Sequence, residues 1–218
     1  MTSPVFRRFW RSDHAASAAE FALVLPVFLV FLLGTIDVGR FIWAVNESEK
    51  ATQAGARLAV VSDVIPGGEI GCSDTGNNNT TPGLLCYSYA LSGNVPQGSP
   101  VPKSAFPTVT CSAPGGSLGC TATSAPFSTA IDASAQAAFD NVVARVNDLQ
   151  PRADADNVII SYAWSGLGFA GDPNGPDVAP TITVSLTGLQ FRPIFLAGIF
   201  DFGLPAQSYS LTMEDGQG

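Results

Sequence analysis

The feature that most constrains this chain is an apolar stretch over residues 15–36, in which Glu20 is the only charged side chain. As a helix, these 22 residues would rise roughly 33 Å, which is enough to cross the hydrocarbon core of a bilayer. Pro26 lies within the stretch and predicts a kink, which membrane helices tolerate. The sequence therefore predicts a transmembrane helix near the N-terminus.

Charge is distributed unevenly around this stretch. Residues 1–14 carry three arginines and one aspartate, whereas the rest of the chain carries seven basic and seventeen acidic side chains, within a net charge of −8. We predict a basic cytoplasmic leader over residues 1–15 and, by the positive-inside rule, export of the C-terminal body. The acidic body also argues against nucleic-acid binding.

The residues that favour a helix continue beyond the apolar stretch. Asp37 and Arg40 are spaced to pair at i,i+3, and Trp43 is placed to lie at a membrane interface. Good helix formers then dominate as far as about residue 61. We predict one long helix over residues 16–62, with its transmembrane segment at about residues 16–43.

Four cysteines lie in the Gly-, Pro- and Ser-rich sequence of residues 63–127: Cys72, Cys86, Cys111 and Cys120. An even number in an exported region indicates disulfide bonds, and pairing each cysteine with its neighbour in sequence closes the shortest loops. Free thiols are the alternative. Zinc is not expected, because no Cys-x-x-Cys pair occurs and the only histidine, His14, precedes the membrane stretch. We predict an irregular, disulfide-bearing insertion, with one short strand at residues 84–91.

The last part of the chain, residues 128–218, has the pattern of a small periplasmic α/β domain. Apolar residues at helical spacing predict a helix over residues 130–149. Enrichment in β-branched and aromatic residues predicts three strands, at residues 158–164, 181–189 and 205–213. The predicted fold class is thus α+β: a long N-terminal transmembrane helix, the insertion, and a small antiparallel sheet packed on a helix.

The apolar segment over residues 191–202 is too short to span a bilayer. It contains Phe191, Phe195, Phe200 and Phe202. These side chains either complete the core of the small domain, which base rates for burial of phenylalanine favour, or form a contact face for another subunit or for the membrane surface.

The exported part offers little chemistry to an enzyme. It has no histidine, and no G-x-S-x-G, P-loop or H-E-x-x-H motif occurs. The pairs Asp154/Asp156 and Asp172/Asp177 are more typical of turns than of calcium sites or acid catalysts. We predict no catalytic residue, no metal and no cofactor.

A signal-anchored periplasmic binding module or a carboxylate-only hydrolase is the alternative. A cleaved secretory signal peptide is disfavoured, because no convincing small-x-small site follows Leu33.

Several N-terminal elements occur together: small residues before Glu20 and Phe21, the ALVLP run that contains Pro26, the Gly34-x-x-Asp37-x-Gly39-Arg40 turn, and Ala54-Gly55-Ala56-Arg57. As a set they closely resemble the N-terminal segment of TadE-like proteins. These are minor pilins (pseudopilins) of the tight-adherence, or Flp-type, pilus system. Gly34 and Gly39 are also small enough to permit close packing against a partner helix.

The resemblance implies a processing event and a set of partners. A prepilin peptidase would remove the leader between Ala15 and Ala16, although family members commonly carry glycine where this chain has Ala15. The implied location is the bacterial inner membrane, single-pass, with the C-terminal domain in the periplasm. The implied partners are other pilins and pseudopilins, the peptidase, the inner-membrane assembly platform and membrane lipid.

Cleavage would give Glu20 a physical role. The new α-amino group at Ala16 would lie one helical turn from the Glu20 carboxylate, so the two groups are placed to pair within one subunit or between neighbours. We therefore expect Glu20 to set register and recruitment during pilus assembly. The alternative is that Glu20 lies at the headgroup level, at the cytoplasmic end of the helix, where its charge costs little.

Overall fold

A single long helix begins the described part of the chain. In a computed structural model, the structure describes residues 13–66, 83–124, 127–173, 176–195 and 202–213, and side chains are described from residue 17 onwards. Helix α1 is Asp13–Ala59 and is continuous through Pro26. The kink at Pro26 stays a prediction. The basic leader over residues 1–12 lies outside the described residues.

The main sheet has five strands in the order β2-β1-β3-β4-β7, and every neighbouring pair is antiparallel. Its strands are β1 Val109–Ser112, β2 Gly119–Ala122, β3 Val158–Ala163, β4 Thr181–Leu186 and β7 Gln207–Thr212. Burial alternates along β3 and β4, as expected for a sheet with one face in the core. A separate two-stranded sheet pairs β5 Gln190–Phe191 with β6 Phe202–Gly203. The predicted α+β fold class is confirmed.

Helix α2, Ala133–Leu149, starts three residues later than the sequence pattern predicts. Asp132 explains the start, because its carboxylate accepts the N–H of Ala135 at 2.8 Å and so caps the helix. The helix ends where Gln150 donates its backbone N–H to the carbonyl of Val146 at 2.9 Å, one residue before Pro151.

The region between the two helices differs from the sequence expectation in two ways. The predicted strand at residues 84–91 is wrong, because the backbone there forms turns. Two of its aromatic residues pack on each other, with the ring centroids of Tyr87 and Tyr89 4.7 Å apart. The second difference is the β1–β2 hairpin, which the sequence pattern did not predict and which extends the main sheet beside β3.

The hairpin carries a disulfide bond. Cys111 and Cys120 lie directly opposite each other on β1 and β2, with their Cα atoms 4.1 Å apart, and their sulfurs are bonded. This is one bond of the local connectivity. Cys86 is also disulfide-bonded, and Cys72, its predicted partner, lies outside the described residues.

Replacing both Cys111 and Cys120 with serine is expected to lower the free energy of unfolding by about 2 to 3 kcal/mol. The reason is that the disulfide closes a short loop and so lowers the conformational entropy of the unfolded chain. Urea unfolding of the detergent-solubilised full chain measures the change. A matched variant with Thr110→Ser and Thr121→Ser alters the same hairpin but keeps the disulfide. Equal unfolding midpoints for the two variants would contradict a stabilising role for this bond.

The chain divides into two compact units, one of residues 1–43 and 190–202, the other of residues 44–189 and 203–218. In the second unit, helix α1 buries a face of small residues: Ala44, Ser48, Ala51, Thr52, Gly55, Ala56 and Ala59. A Cβ atom at residue 55 would lie 2.8 Å from Val146 of α2 and 3.3 Å from Val184 of β4. Only glycine lets α1 approach both elements so closely.

A buried polar group joins α1 to the end of α2 in the same unit. The Gln150 amide is fully buried and donates from Nε2 to the carbonyl of Ala44 at 3.2 Å and to Oγ of Ser48 at 2.9 Å. Buried polar groups need such partners because leaving them unpaired costs about 1 to 3 kcal/mol. The contact therefore fixes the register of α1 along this unit.

Candidate membrane and assembly site

Between residues 21 and 33, helix α1 carries only apolar side chains. Large apolar side chains are exposed on it from residue 21 to residue 43: Phe21, Leu23, Val24, Leu25, Val27, Phe28, Leu29, Val30, Phe31, Leu32, Ile36, Val38, Ile42 and Trp43. Helices that expose apolar side chains on all sides are stable only when lipid or other protein covers them. By length and composition, the helix over Ser17–Ala59 is able to cross a membrane. This property is consistent with a single-pass membrane protein.

The predicted processing site lies at the start of this helix. The bond between Ala15 and Ala16 falls in the first turn of α1, while the side chains of both residues are outside the described set. Glu20 and Phe21 follow in the next turns, and both are exposed. The role of these residues in processing stays a prediction.

The two helix glycines differ in their surroundings. Gly39 is exposed, and a Cβ atom added there would meet nothing within 4 Å. Gly34 is half-buried. A surface that is open at Gly39 has room for the close approach of a partner helix, but the packing role of both glycines stays a prediction.

Asp37 is the most heavily bonded polar side chain on this part of α1. It is 3% exposed. Its Oδ1 accepts the backbone N–H of Ile194 at 2.9 Å, and its Oδ2 accepts that of Phe195 at 2.8 Å. Arg40 donates from Nη1 to Oδ1 at 3.3 Å. A buried carboxylate is tolerated only when charge-assisted bonds of this kind replace its hydration.

Sequence reasoning found only one of these partners. The Arg40 pair follows from i,i+3 spacing, whereas the two backbone donors are 157 and 158 residues away along the chain. Asp37 therefore binds the backbone of the aromatic segment, residues 191–202, to α1 within one unit of the structure.

Aromatic side chains extend this attachment. The ring of Phe41 meets those of Phe191 and Phe202 edge-on, with centroids 5.4 Å and 6.3 Å apart. The Arg40 guanidinium lies over the Phe191 ring, 5.6 Å from its centroid. A cavity of about 140 Å³ separates part of α1 from the segment, lined by Asp37, Val38, Phe41, Phe191, Pro193 and Phe202.

The aromatic segment is therefore divided between core and surface. Phe191 is buried, as the core interpretation predicts. Ile194, Phe195 and Phe202 are 59%, 45% and 45% exposed, which is typical of a contact face. Phe200 lies outside the described residues.

The aspartate pairs that the sequence offers to a hydrolase make structural hydrogen bonds. Asp154 caps a short 3₁₀ helix by accepting the N–H of Asp156, and Asp156 accepts the N–H of Gly116 at 3.2 Å. Both carboxylate oxygens of Asp177 accept backbone N–H groups, from Tyr89 at 2.7 Å and from Asp172 at 3.1 Å. Within the described ranges, no group of three or more acidic, histidine or cysteine side chains is placed to hold a metal ion.

A cavity of about 450 Å³ lies beside Asp172 and Asp177. Burial raises the pKa of the nearby Tyr89 hydroxyl far above its ordinary value, helped by Tyr87 and Asp177. The Asp177 carboxylate beside this cavity is thus engaged in holding the backbone at residues 89 and 172.

Comparison with known families bears on α1. Residues 15–57 match the family model described as TadE-like protein. The N-terminal helix is similar to that of TadE-like proteins. The TadE-like match covers about a fifth of the chain and includes Glu20, Pro26, Asp37, Arg40 and Gly55. It confirms the resemblance drawn from the sequence. No curated protein and no solved structure gives a match.

Proposed function

We propose that this protein is a non-enzymatic pseudopilin: a membrane-inserted component that joins, initiates or primes a tight-adherence pilus or its membrane platform. The observation that carries the proposal is the coincidence of the TadE-like match with an apolar, exposed helix of membrane-spanning length. In this proposal the N-terminus is cytoplasmic and residues beyond the span are periplasmic, because the arginines precede the span.

The difference in packing between the two parts of α1 supports an assembly role. One part of the helix exposes its apolar side chains, whereas the part from Ala44 to Ala59 is packed through small residues against α2 and β4. The exposed apolar part of α1 is therefore available to contact lipid or the helices of other subunits. Pilins, pseudopilins and the assembly platform are the partners that the proposal assigns to it.

Processing by a prepilin peptidase is the first step in the proposal. Cleavage after Ala15 makes Glu20 the fifth residue of the mature chain, one helical turn from a new positive amine. Next to the hydrocarbon core a carboxylate is stabilised by a partner, and an amine of the same or a neighbouring subunit would supply one. Pairing between subunits would set the axial register of the assembled helices.

Replacing Glu20 with alanine is expected to reduce incorporation of the protein into pili severely while leaving its membrane level unchanged. The physical reason is that alanine removes the only charge in the apolar stretch, and with it the partner for the amine. Quantitative immunoblotting of sheared pili and of membranes measures both quantities. Glu49→Ala changes an exposed glutamate farther along the same helix and is the matched control. Wild-type incorporation of the Glu20 variant would refute the role assigned to this residue.

A further inference from the structure

The unit that contains the apolar half of α1 has a second exposed apolar surface. Ile194, Phe195 and Phe202 contribute it from the C-terminal segment, and they adjoin the part of α1 around Val38 and Ile42, which is also exposed. The backbone of residues 194 and 195 is held directly on Asp37. This surface therefore moves with α1 and has a fixed position along it.

The length of α1 indicates where this exposed surface lies relative to a bilayer. If the hydrocarbon core begins just after Glu20, roughly 20 residues at about 1.5 Å each bring its far boundary to about residue 41. Asp37 and Phe41, which anchor the segment, lie within one turn of that boundary. Asp37 meets the condition for a charge at such a depth, because two backbone N–H groups and a guanidinium neutralise and hydrogen-bond it.

Exposed apolar side chains run along α1 from residue 21 to residue 43 and are continuous with the segment's own exposed side chains. Lipid that covers the exposed side chains of α1 can therefore also cover the exposed side chains of the C-terminal segment. Arg192 is exposed next to Pro193 and Ile194, and Arg40 is half-buried on α1. Arginines flanking an apolar surface place their charge among lipid phosphates while their stems lie along apolar groups.

We propose that the surface formed by Arg192, Ile194, Phe195 and Phe202 is a second membrane contact, inserted at the boundary between headgroups and acyl chains in the leaflet at the C-terminal end of the span. The occupant is lipid. The contact fixes the depth and rotation of α1, which a single apolar helix leaves undetermined. The proposal rests on the membrane span but not on a role in a pilus.

Site-directed spin labelling of the full chain in lipid nanodiscs tests the contact. A nitroxide is attached at Ile194→Cys and, in a second variant, at Phe195→Cys. Both substitutions keep the backbone N–H groups that bind Asp37. Val30→Cys in the middle of the apolar run and Leu91→Cys, whose side chain is 92% exposed in the other unit, give the lipid and water references. Power saturation compares collisions with oxygen, which enters lipid, and with a water-soluble nickel chelate, which does not.

The expected result is that residues 194 and 195 collide several-fold less with the nickel chelate than residue 91 does, while oxygen reaches them nearly as well as it reaches residue 30. Nickel accessibility equal to that of residue 91 would overturn the proposal. Protection from both reagents would also overturn it, because it would mean that protein, such as a second copy, covers the surface. If the nickel chelate reached residue 30, the helix would not span the membrane, and the pseudopilin proposal would fail as well. Failure at residues 194 and 195 alone leaves that proposal standing.

Discussion

Replacing Asp37 with alanine is expected to release residues 194 and 195 from helix α1 without unfolding the rest of the protein. The substitution removes the acceptor for two backbone N–H groups and the partner of Arg40. Hydrogen bonds to a charged group contribute about 1.5 to 3 kcal/mol each, so amide exchange at these two positions should accelerate by at least about tenfold. Hydrogen–deuterium exchange of the full chain in nanodiscs, read by mass spectrometry, measures this change.

Two further variants make this result specific to the contact. Asp37→Asn keeps one carbonyl oxygen and should give an intermediate rate, because an amide accepts at one oxygen where the carboxylate accepts at two. Asp63→Ala changes an exposed aspartate just beyond α1 and should leave the exchange of residues 194 and 195 unchanged. Unaltered exchange in the Asp37→Ala variant would show that the aromatic contacts hold the segment unaided.

Replacing Gly55 with leucine is expected to destabilise the unit of residues 44–189 and 203–218 by about 3 kcal/mol or more. Even the first carbon of the new side chain would lie 2.8 Å from Val146 Cγ2 and 3.3 Å from Val184 Cγ1. Both neighbours are β-branched and buried, so neither moves aside at low cost. The gain in helix propensity on replacing glycine, about 0.8 kcal/mol, is too small to offset the overpacking.

A thermal melt of the detergent-solubilised full chain, followed by circular dichroism, measures the effect of Gly55→Leu. For a unit of this size, about 3 kcal/mol corresponds to a Tm lower by roughly 6 to 12 °C. Gly39→Leu is the matched control on the same helix, because nothing lies within 4 Å of a Cβ atom there. Equal Tm values for the two variants would mean that α1 does not approach α2 and β4 as closely as described.

The elements that sequence reasoning found are those whose pattern is local. The apolar run of α1, the helical spacing of α2 and the alternation in β3, β4 and β7 each show in a short window of sequence. The bounds of α2 differ only at its start, where the cap at Asp132 decides the first helical residue. Such features depend on neighbours within a few residues.

What the sequence pattern missed depends on distant partners. The strands of the β1–β2 hairpin are four residues long and lie in Gly-, Pro- and Ser-rich sequence, and their pairing with β3 is what makes β1 a buried strand. Where a strand was predicted at residues 84–91, the chain forms turns, and Tyr87 and Tyr89 pack on each other there. The donors to Asp37 come from residues near the other end of the chain, which no local pattern reveals.

The structure also refines the question that the sequence left open about residues 191–202. Burial of Phe191 beside Phe41 agrees with a core role, while the exposure of Ile194, Phe195 and Phe202 agrees with a contact role. Under the proposed membrane contact a single segment would serve both purposes, with Asp37 holding its backbone at residues 194 and 195.

The N-terminus of the membrane-bound protein, purified from its native host with and without the prepilin peptidase, is the most direct test of the pseudopilin account. Intact mass and N-terminal sequencing both report it. The account predicts a chain that starts at Ala16 when the peptidase is present and retains the leader when it is absent. A chain that keeps its leader in both strains, or one cut beyond Leu33, would contradict the account.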